Sequence, residues 1–291
     1  MSEQNPPDWR FLNTAFGNAF FNMAADEQLV SSVSEGKSAP IVRVYGWDPA
    51  AISFGYAQRI GKEVNLEEAA KRGIDIVRRP TGGRAVLHSN ELTYSVICPS
   101  DNPIIGGNIS TVYRAISECL IAGLRTLNVD AQLEPRRSRV PSPRGKNVTS
   151  PCFSSTSQHE ITVRGKKLVG SAQRRIGDMI LQHGSLLIGP EHKQVIELMA
   201  PGHERLKSAY AGQLESRTIS LEEAGHTDLS FEKLADALRK GFGGVLKVHM
   251  SDIPLTAEER SGIDELISTK YGTPEWNQLD QSAEVTRRIL T

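Results

Sequence analysis

The stretch from Pro151 to Ser185 constrains the fold more than any other part of the chain. It opens as Pro151-Cys152-Phe153 in a polar, Ser-rich segment, and Glu160 to Val163 then alternates polar and apolar residues. Arg164-Gly165 has the form of a two-residue hairpin turn, so the residues from Lys166 onward read as the return strand. Successive strand side chains point to opposite faces, which sends Lys166 and Lys167 to opposite sides of the sheet. At most one of them easily reaches Cys152, and spacing alone does not say which. A cysteine is a good nucleophile only as the thiolate, and a nearby ammonium favours that form. A lone cysteine is ordinarily a small buried hydrophobe. The polar surroundings of Cys152 set it apart from Cys98, at a strand end, and Cys119, on the apolar face of a helix, both of which read as packing residues.

A second stretch, Arg78-Arg79-Pro80-Thr81-Gly82-Gly83-Arg84-Ala85-Val86-Leu87-His88, leaves a predicted strand at Ile74–Arg79. Proline followed by paired glycines marks a tight turn, serving either as a plain link between strands or as a place where a ligand approaches backbone closely. The flanking Arg78, Arg79, Arg84 and His88 favour the ligand site. Tyr94, on the next predicted strand (Glu91–Cys98), belongs either to that pocket or to the core. Between Glu134 and Ser150, five basic side chains crowd among serines and prolines, which reads as a solvated loop or as a docking surface for an acidic protein.

Around these stretches the pattern gives helices at Asn22–Ser34, Asn65–Arg72, Thr111–Leu127, Glu191–Met199 and Ser230–Phe242, and strands at Ile41–Trp47 and Ala51–Phe54. A capping box at Ser220-Leu221-Glu222-Glu223 opens a helix turn within Thr218–Gly225, and a second at Thr256-Ala257-Glu258-Glu259 starts a helix running to about Lys270 with Gly272 as its stop. Strands interleaved with helices, then a strand-rich middle and a helical end, indicate an α+β fold. The expected organisation is a flexible arm over residues 1–10, a catalytic domain over 11–250 and a short helical extension over 251–291.

The formal net charge is zero over 291 residues, so no global field draws nucleic acid. No apolar run reaches membrane-spanning length, and the polar start is unlike a signal peptide, so a cytoplasmic protein is expected. Three cysteines far apart, with no CxxC pair, argue against a zinc site or a disulfide scaffold. Neither a dinucleotide-binding nor a P-loop glycine motif follows a strand.

The glycine-turn stretch, together with Glu91-Leu92-Thr93-Tyr94-Ser95, Asn22-Met23-Ala24-Ala25-Asp26-Glu27 and Lys167-Leu168-Val169-Gly170-Ser171-Ala172-Gln173, resembles the biotin/lipoate protein ligase superfamily. Within it, the Pro151-Cys152-Phe153 segment, the Gly-Gly-Arg turn and Gln182-His183-Gly184-Ser185 are similar to the LipM-type octanoyltransferases. The likeness runs from about Phe11 to Val248. It implies a biotin/lipoate protein ligase-like catalytic domain of mixed β-sheets flanked by helices. It also implies transfer of an octanoyl group from octanoyl-acyl carrier protein to a lysine of a lipoyl-domain protein such as glycine cleavage H protein. The implied catalytic pair is Cys152, carrying the acyl group as a thioester, and Lys167, activating it. Arg79, Thr81, Gly82, Gly83, Arg84, His88, Tyr94, Gly170, Ser171 and Ala172 map to the acyl pocket. No cofactor, metal, membrane or nucleic acid is implied, and a monomer is expected. Ser89 stands where the family usually has an acidic residue, a position without chemistry in this scheme. Competing readings are an ATP-dependent lipoate ligase, an amidotransferase moving octanoyl between lipoyl domains, and a non-enzymatic lipoyl-binding protein.

Overall fold

The computed structural model describes residues 7–134, 160–202 and 204–278. In chain order the elements are β1 (Asp8–Gly17), α1 (Ala19–Ser34), β2 (Ile41–Trp47), β3 (Ala51–Phe54), α2 (Ile60–Glu63), α3 (Leu66–Lys71), β4 (Asp75–Arg78), β5 (Val86–His88), β6 (Glu91–Pro99) and α4 (Ile109–Thr126). They continue with β7 (Gln132–Glu134), β8 (Glu160–Val163), β9 (Lys166–Ile176), β10 (Met179–Leu187), a 3₁₀ turn at Pro190–Ile196, α5 (Glu204–Arg217), α6 (Phe231–Leu246), β11 (His249–Asp252), α7 (Ala257–Leu266), a π-helical turn at Ile267–Tyr271 and α8 (Pro274–Gln278). Eight strands form one mixed sheet in the order β11-β1-β2-β6-β10-β9-β8-β7, and β4-β3-β5 form a smaller one. With helices on both faces of the large sheet, this is the α+β architecture of mixed sheets flanked by helices.

Strand β2 shows why the sheet must be covered twice. Its seven residues are all buried. Val42 and Val44 share a core with Val96, Ile116, Leu120 and Leu238, under α4 and α6. Ile41 and Tyr45 share a second core with Met23, Leu29, Ile97 and Ile263, under α1 and α7. A strand buried on both faces reads as a nearly continuous apolar run, and that is how Ile41–Trp47 was legible in the sequence. The α4–α6 contact is close because glycines stand at it: a Cβ on Gly241 would lie 2.4 Å from the carbonyl oxygen of Cys119.

Two expectations change, one holds and one helix is new. Residues 8–10 are not part of an arm: Trp9 is buried, and the Arg10 guanidinium forms a two-pronged pair with Glu259 at 2.6 and 2.8 Å, while β1 pairs in parallel with both β2 and β11. The helix turn expected at the Ser220 box is present: Ser220 and Glu223 form its reciprocal bonds, the Ala224 amide donates to the Ser220 carbonyl at 3.0 Å, and Gly225 at φ +95° follows. The helix expected at Glu191–Met199 is the shorter 3₁₀ turn. Helix α5 was not anticipated, because its buried stripe is only Tyr210 and Leu214 in an otherwise polar run. The Thr256 capping box is present, with Thr256 Oγ1 and Glu259 each accepting from the other's amide. The segment after residue 250 is tied into the body by β11, by α7 against α1, and by α8, where Trp276 Nε1 donates to the Arg78 carbonyl at 2.9 Å.

Helix α1 is fixed to the large sheet by one buried carboxylate. Asp26 accepts from Arg43 Nη1 at 2.7 Å, Ser95 Oγ at 2.8 Å and Tyr45 Oη at 3.1 Å, all fully buried. Burial pushes the Asp26 carboxyl up, but the Arg43 guanidinium and His183 outweigh it and hold the group below its ordinary value of 3.8. Its contribution to stability is therefore complete above the unfolded-state value and is lost as pH falls through the lower folded one. Asp26→Asn should cost about 3–5 kcal/mol in urea unfolding at neutral pH, because Arg43 is left as an uncompensated buried charge. The variant should also lose the part of acid unfolding that wild type shows below that pH.

Candidate active site

Strands β6, β10 and β9 set their residues in rows. Thr93, Ser185 and Gly170 are in register, as are Tyr94, Gly184 and Ser171, and Ser95, His183 and Ala172. Alternation sends Thr93, Ser95, His183 and Ser185 toward α1, and Tyr94, Gln182 and Gly184 toward the opposite face. Gly184 makes room for the Tyr94 ring: a Cβ there would meet the ring at 2.8 Å and Ser171 Oγ at 2.6 Å. The tyrosine hydroxyl thus spans β10 to pair with Ser171 Oγ at 2.7 Å and accepts from Gln182 Nε2 at 3.0 Å. Burial raises the Tyr94 pKa well above its usual value, so the group stays a neutral phenol.

Two carboxylate–imidazole–hydroxyl chains run through the wall on the α1 side. In the first, His183 Nδ1 faces Asp26 Oδ2 at 3.2 Å and its Nε2 faces Thr81 Oγ1 at 2.6 Å. Burial lowers the His183 pKa, so the ring is neutral; it donates from Nδ1 to the acceptor-only carboxylate and accepts from Thr81. In the second, His88 Nδ1 donates to Glu91 Oε1 at 2.8 Å, and its Nε2 meets Ser53 Oγ at 2.7 Å. Thr93 Oγ1 donates to Glu91 at 2.6 Å and accepts from Trp47 Nε1 at 2.7 Å, while the Trp47 ring stacks on His88 with centroids 4.1 Å apart.

The glycine turn is held from inside by Arg79. Its guanidinium donates to Ser53 O at 2.8 Å, to Gly82 O at 2.9 Å and to Arg84 O at 2.7 Å. Gly83 sits at φ +99°, where a side chain is strained, and a Cβ on Gly55 would fall 2.1 Å from its carbonyl oxygen. The turn therefore needs glycine both for its own backbone and for the one packed against it.

These elements form a cavity of about 170 Å³ whose lining includes Met23, Tyr45, Trp47, Val86, His88 and Lys167. Ser53, Thr93, Ser185 and His183 also reach it. Each of these hydroxyls and rings is already hydrogen-bonded to another side chain. Polar residues so engaged offer the interior mainly carbon. That suits an apolar guest, since burying an unmatched polar group costs about 1–3 kcal/mol.

The hairpin turn is as expected, with Arg164 at φ +53° and Gly165 at φ +71°. It separates the paired lysines. Lys166 is directed to the surface, where its Nζ donates to the Glu215 carbonyl at 2.8 Å. Lys167 is buried, lines the cavity and pairs with Glu160 Oε1 at 3.0 Å.

Of the other residues singled out from sequence, Arg79, Gly83, His88, Gly170, Ser171 and Ala172 meet at the cavity. Thr81 stands behind His183, Gly82 and Arg84 give their carbonyls to Arg79, and Tyr94 lies behind Ser171. Cys152 and residues 135–150 of the basic segment lie outside the described residues. Burial pushes the Cys98 thiol up to about 12 and Cys119 higher still, which leaves both as inert packing residues. Asp26, Trp47, Ser53, Glu91, Thr93, His183 and Ser185 were not singled out for roles. His183 and Ser185, two apart on one strand, were the available signal, since that spacing puts both on one face. Among the described residues, no cluster of His, Cys, Asp or Glu is arranged to hold a metal ion, and no helix is long and apolar enough to cross a membrane.

Residues 18–243 match the family model of the lipoyl protein ligase A/B catalytic domain. An octanoyltransferase LipM of Kyrpidia tusciae is 42% identical over 273 residues, covering 92% of this chain and 98% of the relative. The octanoyltransferase LipM of Bacillus subtilis is 37% identical over 270 residues, covering 92% and 97%. Among solved structures, a bipartite lipoate protein ligase of Thermoplasma acidophilum, described with its E2 lipoyl domain, superposes with a TM-score of 0.76 at 26% identity over 94% of this chain and 96% of that one. A lipoate-protein ligase A bound with ATP gives a TM-score of 0.73 at 26% identity, covering 94% and 98%. A family model over residues 18–243 and relatives matched along nearly the full length agree: the chain belongs to the lipoyl protein ligase A/B catalytic-domain family.

Proposed function

We propose that this chain transfers an octanoyl group from octanoyl-acyl carrier protein to a lysine of a lipoyl-domain protein, such as glycine cleavage H protein, through a thioester on Cys152. The observation that carries the reading is the cavity: Ser53, Thr93, His183 and Ser185 in its wall are bonded to other side chains, and Lys167 stands in its lining. The relatives favour acyl transfer over adenylation. Octanoyltransferases are 42% and 37% identical, against 26% for the ligase bound with ATP. The lipoyl domain studied with the Thermoplasma ligase supports an acceptor of that kind.

In this scheme the ammonium of Lys167 favours the thiolate of Cys152, which lies eight residues before Glu160 in the sequence. The thiolate adds to the carrier thioester; the carbon–sulfur bond to the carrier breaks, and the carrier thiol takes the proton that Cys152 gave up. Sulfur replaces sulfur, so the step is near balance. Amides of the Gly82-Gly83 turn stabilise the transient oxyanion. The acceptor lysine amine then adds to the acyl-enzyme, a C–N bond forms, the Cys152 thiolate leaves, and the amine's proton returns to sulfur. Thioester to amide is downhill, and the sequence needs no ATP. The buried octanoyl chain contributes about 0.8 kcal/mol for each methylene removed from water.

Cys152→Ala should abolish the acyl adduct seen by intact-mass measurement and lower octanoyl transfer by about a thousandfold or more. Full transfer by this variant would end the covalent scheme. For Lys167→Ala, the pH profile of Cys152 alkylation should move upward by about one unit or more. An unmoved profile removes Lys167 from its role.

A further inference from the structure

The cavity has a direction. Of its lining, Gly83 is exposed and Val86, Gly170, Ser171 and Ala172 are half-buried. Met23, by contrast, is 1% exposed and Tyr45 is fully buried. The first group is therefore the mouth and the second the floor. Met23 has a long unbranched apolar chain, the kind that fills irregular gaps and adjusts to what it meets.

The backbone that carries Met23 cannot retreat. Asn22 Nδ2 donates to the carbonyls of Gly17 at 3.0 Å and Gly46 at 2.9 Å, and the Asn22 carbonyl accepts from Arg43 Nη1 at 3.0 Å. One turn further on, Asp26 is held by the same guanidinium at 2.7 Å. A clamped helix does not collapse into space vacated at its surface, so a change in volume at position 23 is expressed in the cavity. The cavity, about 170 Å³, is close to the roughly 150 Å³ of an apolar cavity that takes up benzene, which is room for a medium chain and not for a long one.

We propose that Met23, backed by Tyr45, is the length stop for the acyl chain. This rests on the acyl-transfer reading of the same cavity. The terminal methyl of the longest chain accepted abuts the Met23 side chain, and longer chains are refused because the pinned start of α1 leaves no slack behind it.

The test compares hexanoyl-, octanoyl- and decanoyl-acyl carrier protein as donors for the full-length protein, scored by acyl-enzyme formation and by kcat/KM. Wild type should fall off from octanoyl to decanoyl. Met23→Ala should raise the decanoyl-to-octanoyl ratio by about tenfold, the worth of two further buried methylenes. Met23→Phe should lower octanoyl relative to hexanoyl. If Met23→Ala does not fold, Met23→Val, which removes less volume, should give the same change in smaller measure. A decanoyl-to-octanoyl ratio unchanged in a folded Ala or Val variant overturns the length-stop assignment while leaving the acyl-transfer reading intact. Wild type that takes no acyl group from any of the three donors overturns that reading instead.

Discussion

The buried carboxylate of Asp26 is the constraint on which the site depends. It lies on α1 and is bonded to Arg43 and Tyr45 on β2, Ser95 on β6 and His183 on β10. One group thus ties a helix to three neighbouring strands and, through His183 and Thr81, to the glycine turn. An isolated carboxylate at that depth would be too costly to keep ionised, and the Arg43 guanidinium 2.7 Å away is what makes it tolerable. Removing either partner would therefore disturb both the helix that floors the cavity and the turn at its mouth.

The second network, around Glu91, has a different consequence. His88, Ser53, Thr93 and Trp47 satisfy one another, and Arg79 completes the set through Ser53. A wall rich in polar residues can then receive a hydrocarbon with most of its donors and acceptors already paired. Glu91 keeps one buried oxygen without a partner among the described residues, and this marks the least satisfied point of the wall. The hydrogen bonds hold the polar residues in place and so constrain the shape of the wall more than an all-aliphatic lining would.

What the sequence revealed and what it concealed follow from distance along the chain. The Arg164-Gly165 turn was legible because both residues and both strands are adjacent, and α4 because its apolar face repeats at helical spacing. The paired lysines were separable only after the strand faces were known: Lys167 turns inward and Lys166 ends on the Glu215 carbonyl. Strand β1 escaped notice because its partners, β2 and β11, lie in parallel, and β11 is more than two hundred residues away. Asp26 and His183 are 157 residues apart, and no local pattern links them. Helix α1 gave only a rough apolar stripe because the sheet buries one side of it, α7 and the π-helical turn bury another, and Asn22 and Asp26 are inside with the apolar residues. The superfamily motifs exposed the turn, His88 and the lysine, but were silent on which groups hold them in place.

The central claim is a largely apolar slot serving covalent acyl transfer without nucleotide. The most direct measurement is intact-mass spectrometry of the purified wild-type protein, mixed first with octanoyl-acyl carrier protein and then with a lipoyl-domain protein, in the absence of ATP. The account predicts a single octanoyl adduct on Cys152 that disappears as the acceptor gains one octanoyl group on its lysine. No adduct from the carrier, together with acceptor modification only when free octanoate and ATP are supplied, would contradict it.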